Sequence, residues 1–361
     1  MQNTPVGFSV GAANPGVRHE VVTRWLDSGQ SPTVSLTDEC LRELPQSRDD
    51  PPVLARFSRP RAVEATRLAV VSDIHLSTRE RGTWKMYHRT VPRLRETVRD
   101  IETRGVDGVI VPGDLTADGH PEDVKRVDEI LSTLSVPVSA VPGNHDTTED
   151  ATGGHSFPSA DVATDVLPER LPYHTRVGGV DLLCVDSTRG ASGAKATLSA
   201  EQHDWLEGAI GRVETPVVVS HHNLPGLQGA TGGRSWRSSF PMQNATSVSE
   251  VLNEGVPLHI SGHLHLPAVA ASRRVRELIS PALCSFPGGY LLLDIRADGT
   301  TVRFVPVTDT PALESGWRAA REYKDRSRMV AWMAHRQLTE LPLIEESPPA
   351  DLAQYPSTEG A

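Results

Sequence analysis

The sequence predicts an α/β fold: two β-sheets packed face to face, with helices on both outer surfaces, an α/β/β/α sandwich. Three observations predict it. From Arg67 onward, short apolar runs alternate with amphipathic stretches of helical period, the pattern of buried strands joined by crossover helices. After His265 the texture becomes successive strands, two of them joined by the Gly-containing turn Ala297-Asp298-Gly299. Several apolar runs also end in a polar block, and open α/β sheets place their sites at the carboxyl ends of strands.

Taken in order, residues 1–62 read as an N-terminal extension and linker, 63–310 as the main domain, and 311–361 as a C-terminal helix and flexible tail. In the extension, Val17–Leu26 and Leu36–Leu44 have the spacing of short helices, the second opening with a Ser35-x-x-Asp38 box. Proline and charge from Pro45 to Arg61 predict a linker. Leu68–Val71 is the first buried strand. Thr83–Glu102 predicts a helix with Tyr87, Val91, Leu94, Val98 and Ile101 on one face, kinked or started at Pro92. Gly108–Val111 is the next strand. Pro121, followed by Glu122 and Asp123, opens a second helix with Val124, Val127, Leu131 and Leu134 as its stripe. Further strands are Val138–Val141, Leu182–Val185, Val217–Val219, Leu258–Ile260, Leu278–Ile279, Tyr290–Ile295 and Thr301–Val307. A Ser199-x-x-Gln202 box starts the helix that buries Trp205, Leu206 and Ile210. Leu313–Leu341 reads as one helix packing Trp317, Ala320, Val330 and Met333, and the chain frays from Pro348.

At 361 residues the chain has room for one large α/β domain or two modest ones. With 38% hydrophobic and 23% charged residues it is an ordinary globular composition. No apolar run approaches the roughly 18 to 20 residues of a membrane span. Met1–Gly16 lacks both a basic cluster and an apolar core, so no secretory signal is expected and the expected location is cytoplasmic. Cys40, Cys184 and Cys284 are far apart, an odd set that reads as reduced core thiols. A net charge of −10 disfavours adhesion to nucleic acid or anionic lipid.

The polar blocks carry the chemistry. They are Asp73-Ile74-His75, Gly113-Asp114, Gly143-Asn144-His145-Asp146, Ser220-His221-His222 and Gly262-His263-Leu264-His265. Each alone is a weak signal, since a lone Gly-Asp is more often a turn. Five in order, each behind an apolar run, are not. Carboxylates, a carboxamide and imidazoles form a mixed oxygen and nitrogen donor set without thiolate, suited to two divalent ions such as Mn²⁺, Fe²⁺ or Zn²⁺.

The order D-x-H, G-D, G-N-H-D, H, G-H-x-H resembles the calcineurin-like metallophosphoesterase superfamily over about residues 66–308. Val70–Leu76, Gly113–Gly119 and Thr197–Leu206 are closest to its class III cyclic-nucleotide phosphodiesterase branch. Protein phosphatases of the superfamily carry an arginine in an extended G-D-x-V-D-R-G motif that Gly113–Gly119 lacks. The resemblance implies that Asp73, His75 and His265 hold one ion, Asn144, His221 and His263 the other, and that Asp114 bridges them. It implies in-line attack on a small phosphoester by a hydroxide shared between the ions, with His145 assisting the leaving group and Asp146 orienting His145. His221 is taken as the ligand from its place directly after Val217–Ser220, leaving His222 as a supporting or substrate contact.

Gly-rich loops at 187–193 and 226–237 are expected to rim the cleft, with Arg234 and Arg237 as phosphate contacts and Trp236 between them. Two rival readings stay open: a DNA-processing nuclease, whose relatives share Asp-x-His-Leu and Gly-Asn-His-Asp, and a metal-bound scaffold without turnover. The absence of a basic stripe counts against the first, the unliganded His145 against the second. The extension is expected to cover the cleft, make a homodimer contact or pad a sheet edge.

Overall fold

The computed structural model describes residues 41–42, 44–45, 47–79, 83–149, 155–156, 164–168, 170–188, 196–224, 242–272, 274–307, 310–323 and 325–347. The helix expected at Val17–Leu26, most of that at Leu36–Leu44, and Arg234, Trp236 and Arg237 lie outside these residues.

In chain order the strands are β1 (Val53–Phe57), β2 (Thr66–Val70), β3 (Gly108–Pro112), β4 (Val138–Val141), β5 (Thr148–Glu149), β6 (His155–Ser156), β7 (Tyr173–Val177), β8 (Val180–Cys184), β9 (Pro216–Val219), β10 (Leu258–Ser261), β11 (Ala268–Ser272), β12 (Val275–Ile279), β13 (Gly289–Arg296), β14 (Gly299–Pro306) and β15 (Ile344–Glu345). The helices are α1 (Thr90–Glu102), α2 (Pro121–Leu131), α3 (Ala200–Ile210), α4 (Ala245–Gly255), α5 (Thr310–Tyr323) and α6 (Asp325–Thr339). Among the described residues, one sheet runs β15-β1-β14-β13-β2-β3-β4 and a second runs β11-β12-β10-β9-β8-β7. Parallel pairing joins β2 to β3 and β3 to β4 in the first sheet, and links β8, β9, β10 and β12 in the second.

Side-chain alternation decides the layers. On β2, Leu68 and Val70 cluster with Leu182, Val217, Leu258 and Ile260 of the other sheet. Ala69 and Val71, one residue out of phase, cluster instead with Leu94, Val98 and Ile101 of α1 and Val124 and Val127 of α2. The second sheet does the same in reverse: Leu183, Val218 and Val275 turn outward onto Leu206 of α3 and Val248 and Leu252 of α4. A period of two thus gives each strand two apolar faces, and the predicted four-layer order follows. Each fully buried Leu or Val contributes about 1.5–3 kcal/mol relative to exposure, so neither layer can shift by one residue without losing several such terms.

Local signals set the helix ends. Pro92 falls in the first turn of α1, where its missing N–H is harmless, and the stretch before it makes a turn and a 3₁₀ segment, Tyr87–Arg89, in place of the first part of the long helix predicted. Pro121 opens α2 with Glu122 and Asp123 at its positive end. The Ser199 side chain accepts from Gln202 N at 3.3 Å to start α3. The C-terminal helix is two helices, α5 and α6, which bury Trp317, Ala320, Val330 and Met333 against the inter-sheet core.

One element differs from expectation more sharply. Val53–Phe57, inside the stretch read as linker, is a strand paired with β14 on one side and β15 on the other. Pro51 and Pro52 precede the strand, where they remove no ladder bond, and Leu54, Ala55 and Phe57 are buried. No helix among the described residues is long and apolar enough to cross a membrane.

Candidate metal centre

Five loops deliver the polar blocks to one place. Asp73 and His75 follow β2, Asp114 follows β3, Asn144 and His145 follow β4, His221 follows β9, and His263 and His265 follow β10. Backbone bonds lock the loops together: Asp73 N donates to Gly113 O (3.2 Å), His75 N to Asp114 O (2.9 Å) and Gly262 N to His221 O (3.0 Å).

The backbone is strained where these side chains leave it. Among the described residues, six non-glycine residues have positive φ, and five of them are Asp73 (49°), His75 (45°), Asp114 (51°), His263 (67°) and His265 (61°). The left-handed region costs an L-residue about 1–2 kcal/mol, so this concentration persists only because the surrounding contacts over-determine it. Two glycines of the blocks are explained by close approach. A Cβ on Gly143 would collide with the Asp114 carboxylate and amide, and one on Gly262 with the Ser72 hydroxyl and the Asp73 carboxylate.

The donor atoms form two groups sharing one residue. In the first, His75 Nε2 lies 3.2 Å from His265 Nε2 and 3.1 Å from Asp114 Oδ2, and His265 Nε2 lies 3.3 Å from Asp73 Oδ1. In the second, His221 Nε2 lies 3.3 Å from Asn144 Oδ1, 3.2 Å from His263 Nδ1 and 3.4 Å from Asp114 Oδ1. Asp114 therefore turns one oxygen to each group. Asp73, His75, Asp114 and His265 offer ligand atoms all within 4.8 Å of one another. All seven side chains singled out from the sequence meet here.

Two carboxylates buried among imidazoles make the pocket cation-seeking. Burial pushes Asp114 up, but His221 and then His75 outweigh it and hold it well below the usual carboxylate range. Burial pushes Asp73 up to about 7, with the Asp114 charge adding to the rise. Burial would lower His221, yet Asp114 and Asp73 raise it to about 9. The pocket collects protons for the reason that it would collect metal ions: its anionic charge has no route to water. The mixed donor set and this charge fit a pair of divalent cations.

Supporting contacts fix the rings. His221 Nδ1 donates to Pro112 O (2.9 Å), which leaves Nε2 facing Asp114 and Asn144. His265 Nδ1 meets Ser285 Oγ at 3.0 Å. His145 Nδ1 donates to Ala117 O (2.8 Å), presenting Nε2 on the half-buried side of the pocket, and burial lowers its pKa.

One expectation needs correction, and the places of two other side chains become specific. Asp146 does not touch His145. Its carboxylate accepts from Gly143 N (2.8 Å), Leu115 N (3.1 Å), and Thr116 N (2.8 Å) and Oγ1 (2.9 Å), so it clamps the β3 and β4 loops together. Burial and the nearby Asp114 push it up to about 6. The carbonyl of Ala117 takes the orienting role. His222 is wholly buried, with Nδ1 2.9 Å from Ser187 Oγ and its ring 4.6 Å from that of His263, so it backs His263 and does not face the rim as a substrate contact. A thiol also lies nearby: Cys284 Sγ is 3.8 Å from His265 Nδ1. Burial pushes that thiol up to about 12, and with His75 and His265 it forms a further group whose ligand atoms lie within 4.8 Å of one another.

Sequence reasoning missed Lys85 and Ser285. Lys85 Nζ lies 3.2 Å from His145 Nε2 and 3.3 Å from His75 Nε2. Its one sequence signal is rarity, as one of four lysines in a chain whose other 32 basic residues are arginine.

The family model for calcineurin-like phosphoesterases matches residues 66–267, a span holding every block from Asp73 to His265. The chain is 24% identical over 257 residues to a probable cyclic nucleotide phosphodiesterase of Synechococcus, covering 68% of this chain and 94% of the relative. It is 26% identical over 272 residues to a 3′,5′-cyclic adenosine monophosphate phosphodiesterase of Pseudomonas aeruginosa, covering 73% of this chain and 93% of the relative. Among solved structures, a dimetal phosphatase from Danio rerio has the same fold, with a TM-score of 0.52 at 16% identity over 68% of this chain and 98% of that one.

Proposed function

The chain belongs to the calcineurin-like phosphoesterase family and is a metal-dependent phosphoester hydrolase, and from that premise we propose that its substrates are small phosphodiesters of the cyclic nucleotide class. The single observation that carries the reading is Asp114, whose two oxygens face two separate donor groups, as a carboxylate shared by two ions must. Asp73, His75 and His265 would hold one ion and Asn144, His221 and His263 the other, with Mn²⁺, Fe²⁺ or Zn²⁺ the ions this donor set suits. When bound, the pair supplies Lewis acidity to the phosphoryl oxygens and acidifies a water as nucleophile, so no serine or cysteine need attack. Asn144 contributes a neutral oxygen and so leaves the ions' charge undiminished.

The chain's own residues do the rest. His145 holds or delivers a proton at Nε2, the one ring nitrogen not tied to Ala117, and so meets the departing oxygen. Asp146 keeps the loops bearing Asp114 and His145 at a fixed separation through four hydrogen bonds. The catalytic unit is residues 63–310, with β1 and β15 extending one side of the first sheet from outside it. The names of the two relatives above support the substrate class. The test is turnover of metal-loaded protein on 3′,5′-cyclic nucleotides beside paired aryl phosphate diesters and monoesters. Diesters, cyclic nucleotides among them, are expected to react faster; preference for the monoester alone would contradict the reading.

A further inference from the structure

We infer that Cys284 is a further ligand of the first ion, beside Asp73, His75 and His265, and that its sulfur sharpens the preference of this half of the centre for Zn²⁺ over Mn²⁺. The inference rests on the metal-centre reading above. Cys284 comes from the same kind of place as the other donors. It follows β12, which runs parallel to β10, so the loop after β12 opens on the side where His263 and His265 lie. That loop is stitched to the one carrying Asp73: Leu283 N donates to Ser72 O (2.9 Å) and Cys284 N to Asp73 O (3.2 Å). Arg93 Nη1 donates to Leu283 O (3.1 Å) and fixes the loop from the helix side. Cys284 is wholly buried, and its sulfur, His75 and His265 offer ligand atoms within 4.8 Å of one another. The same two histidines meet Asp73 and Asp114 in the first donor group. Cys184, equally buried, shows the contrast: it lies in β8 and belongs to the apolar core between the sheets.

The competing account is that the thiol merely supports His265. Ser285 already does so. Its Oγ is 3.0 Å from His265 Nδ1, against 3.8 Å for the sulfur, and a ring nitrogen has one hydrogen or one lone pair to share. Nε2 of the same ring faces Asp73 Oδ1 (3.3 Å) and His75 Nε2 (3.2 Å), and the sulfur joins the group that the histidines form. A thiol that coordinates is deprotonated by the ion it binds, so its proton leaves to solvent and the donor is a thiolate. Soft thiolate suits Zn²⁺, whereas Mn²⁺ suits oxygen donors. The sulfur also makes the two halves unequal. Asp73 and Cys284 give the first ion two anionic ligands of its own, whereas Asn144, His221 and His263 give the second none. The first is then the tightly held ion, and the second keeps the greater Lewis acidity.

The experiment is X-ray absorption at the zinc edge on Zn²⁺-loaded wild-type protein, on Cys284→Ser and Cys284→Ala, and on a double variant carrying Cys40→Ala and Cys184→Ala. Zinc is counted in each sample. Expected in the wild type is a sulfur shell at about 2.3 Å beside nitrogen and oxygen at about 2.0–2.2 Å, with one sulfur for every two zinc ions. The shell is expected to vanish in both Cys284 variants and to persist in the double variant. In competition titrations, Cys284→Ser is expected to weaken Zn²⁺ binding by at least the roughly 10–100-fold that losing an outer partner costs, and Mn²⁺ binding by less. The inference is overturned if wild-type protein holds two zinc ions with nitrogen and oxygen neighbours alone, if a sulfur shell survives in Cys284→Ser, or if the two metal affinities fall equally. Wild-type protein that binds no zinc would overturn the metal-centre reading itself, and the inference with it.

Discussion

Strands β9 and β10 each serve two buried polar clusters, and the two are built differently. At their carboxyl ends His221, His263 and His265 join residues from three strands of the other sheet, on backbone that is left-handed at five positions. Two residues before the end of β10, on its helix-facing side, lies the second cluster. Ser220 Oγ is 2.8 Å from His259 Nε2, and His259 Nδ1 is 3.5 Å from Glu277 Oε1. Serine, histidine and glutamate in a line look like a catalytic relay. All three are buried, however, their φ angles are ordinary, and they belong to one sheet and the segment that follows β9. The difference teaches that residue type and burial do not mark the site. Convergence of separate sheets and strained backbone do, because such an arrangement costs stability that a merely structural cluster does not spend.

The comparison can be broken by mutation, and the largest effect belongs to Asp114. Asp114→Ala is expected to lower kcat/KM on a diester by a factor on the order of 10³ or more, beyond the 10–100-fold typical of an outer partner. Steady-state kinetics at saturating metal checks this. His145→Ala is expected to cost roughly 10²–10⁴ in kcat while metal content stays at the wild-type value, if its nitrogen serves the leaving group as proposed. Elemental analysis beside the rate measurement separates the two roles.

A pH series sharpens the comparison further. In the chelated protein His221 is raised to about 9, despite burial, by Asp114 and Asp73. A raised imidazole stabilises the fold fully below its unfolded value of about 6.5, and that contribution is lost as pH rises through about 9. The metal must displace the same proton, so metal affinity should climb across this window by up to about tenfold per pH unit, and the metal-loaded fold should show no matching loss of stability. Isothermal titration of Mn²⁺ between pH 6.5 and 9 and chelator-treated melting curves test both halves. The smallest effect belongs to the second cluster. Glu277→Gln is expected to destabilise by about 1–3 kcal/mol through its buried hydrogen bonds, seen in urea unfolding, with kcat within about threefold of wild type. A thousandfold loss of kcat there would erase the distinction between the clusters.

These contrasts also explain what could be read from the sequence. The two-sheet sandwich was legible because its strands are buried on both faces, giving runs such as Val217–Val219 that alternate with helical stripes. The donor blocks were legible because each needs a particular side chain at a fixed offset from a strand end. Contacts through the backbone left no such trace. Ala117 holds His145 with a carbonyl, which any residue could supply. Asp146 receives three amides from two loops, and the sequence offers no way to tell that from a bond to its neighbour His145. β1 was hidden because Arg56 interrupts a five-residue strand framed by prolines, and its partners lie about 250 and 290 residues away. Lys85 reaches the site through the left-handed turn at Met86, a conformation that methionine does not advertise.

The account turns on Asp114 joining two ions in one centre. Electron paramagnetic resonance of Mn²⁺-loaded protein, with metal counted on the same sample, tests this most directly. Two ions per chain with an exchange-coupled spectrum, replaced in Asp114→Ala by an uncoupled signal, is the predicted result. One ion per chain, or two that show no coupling in the wild type, would contradict it.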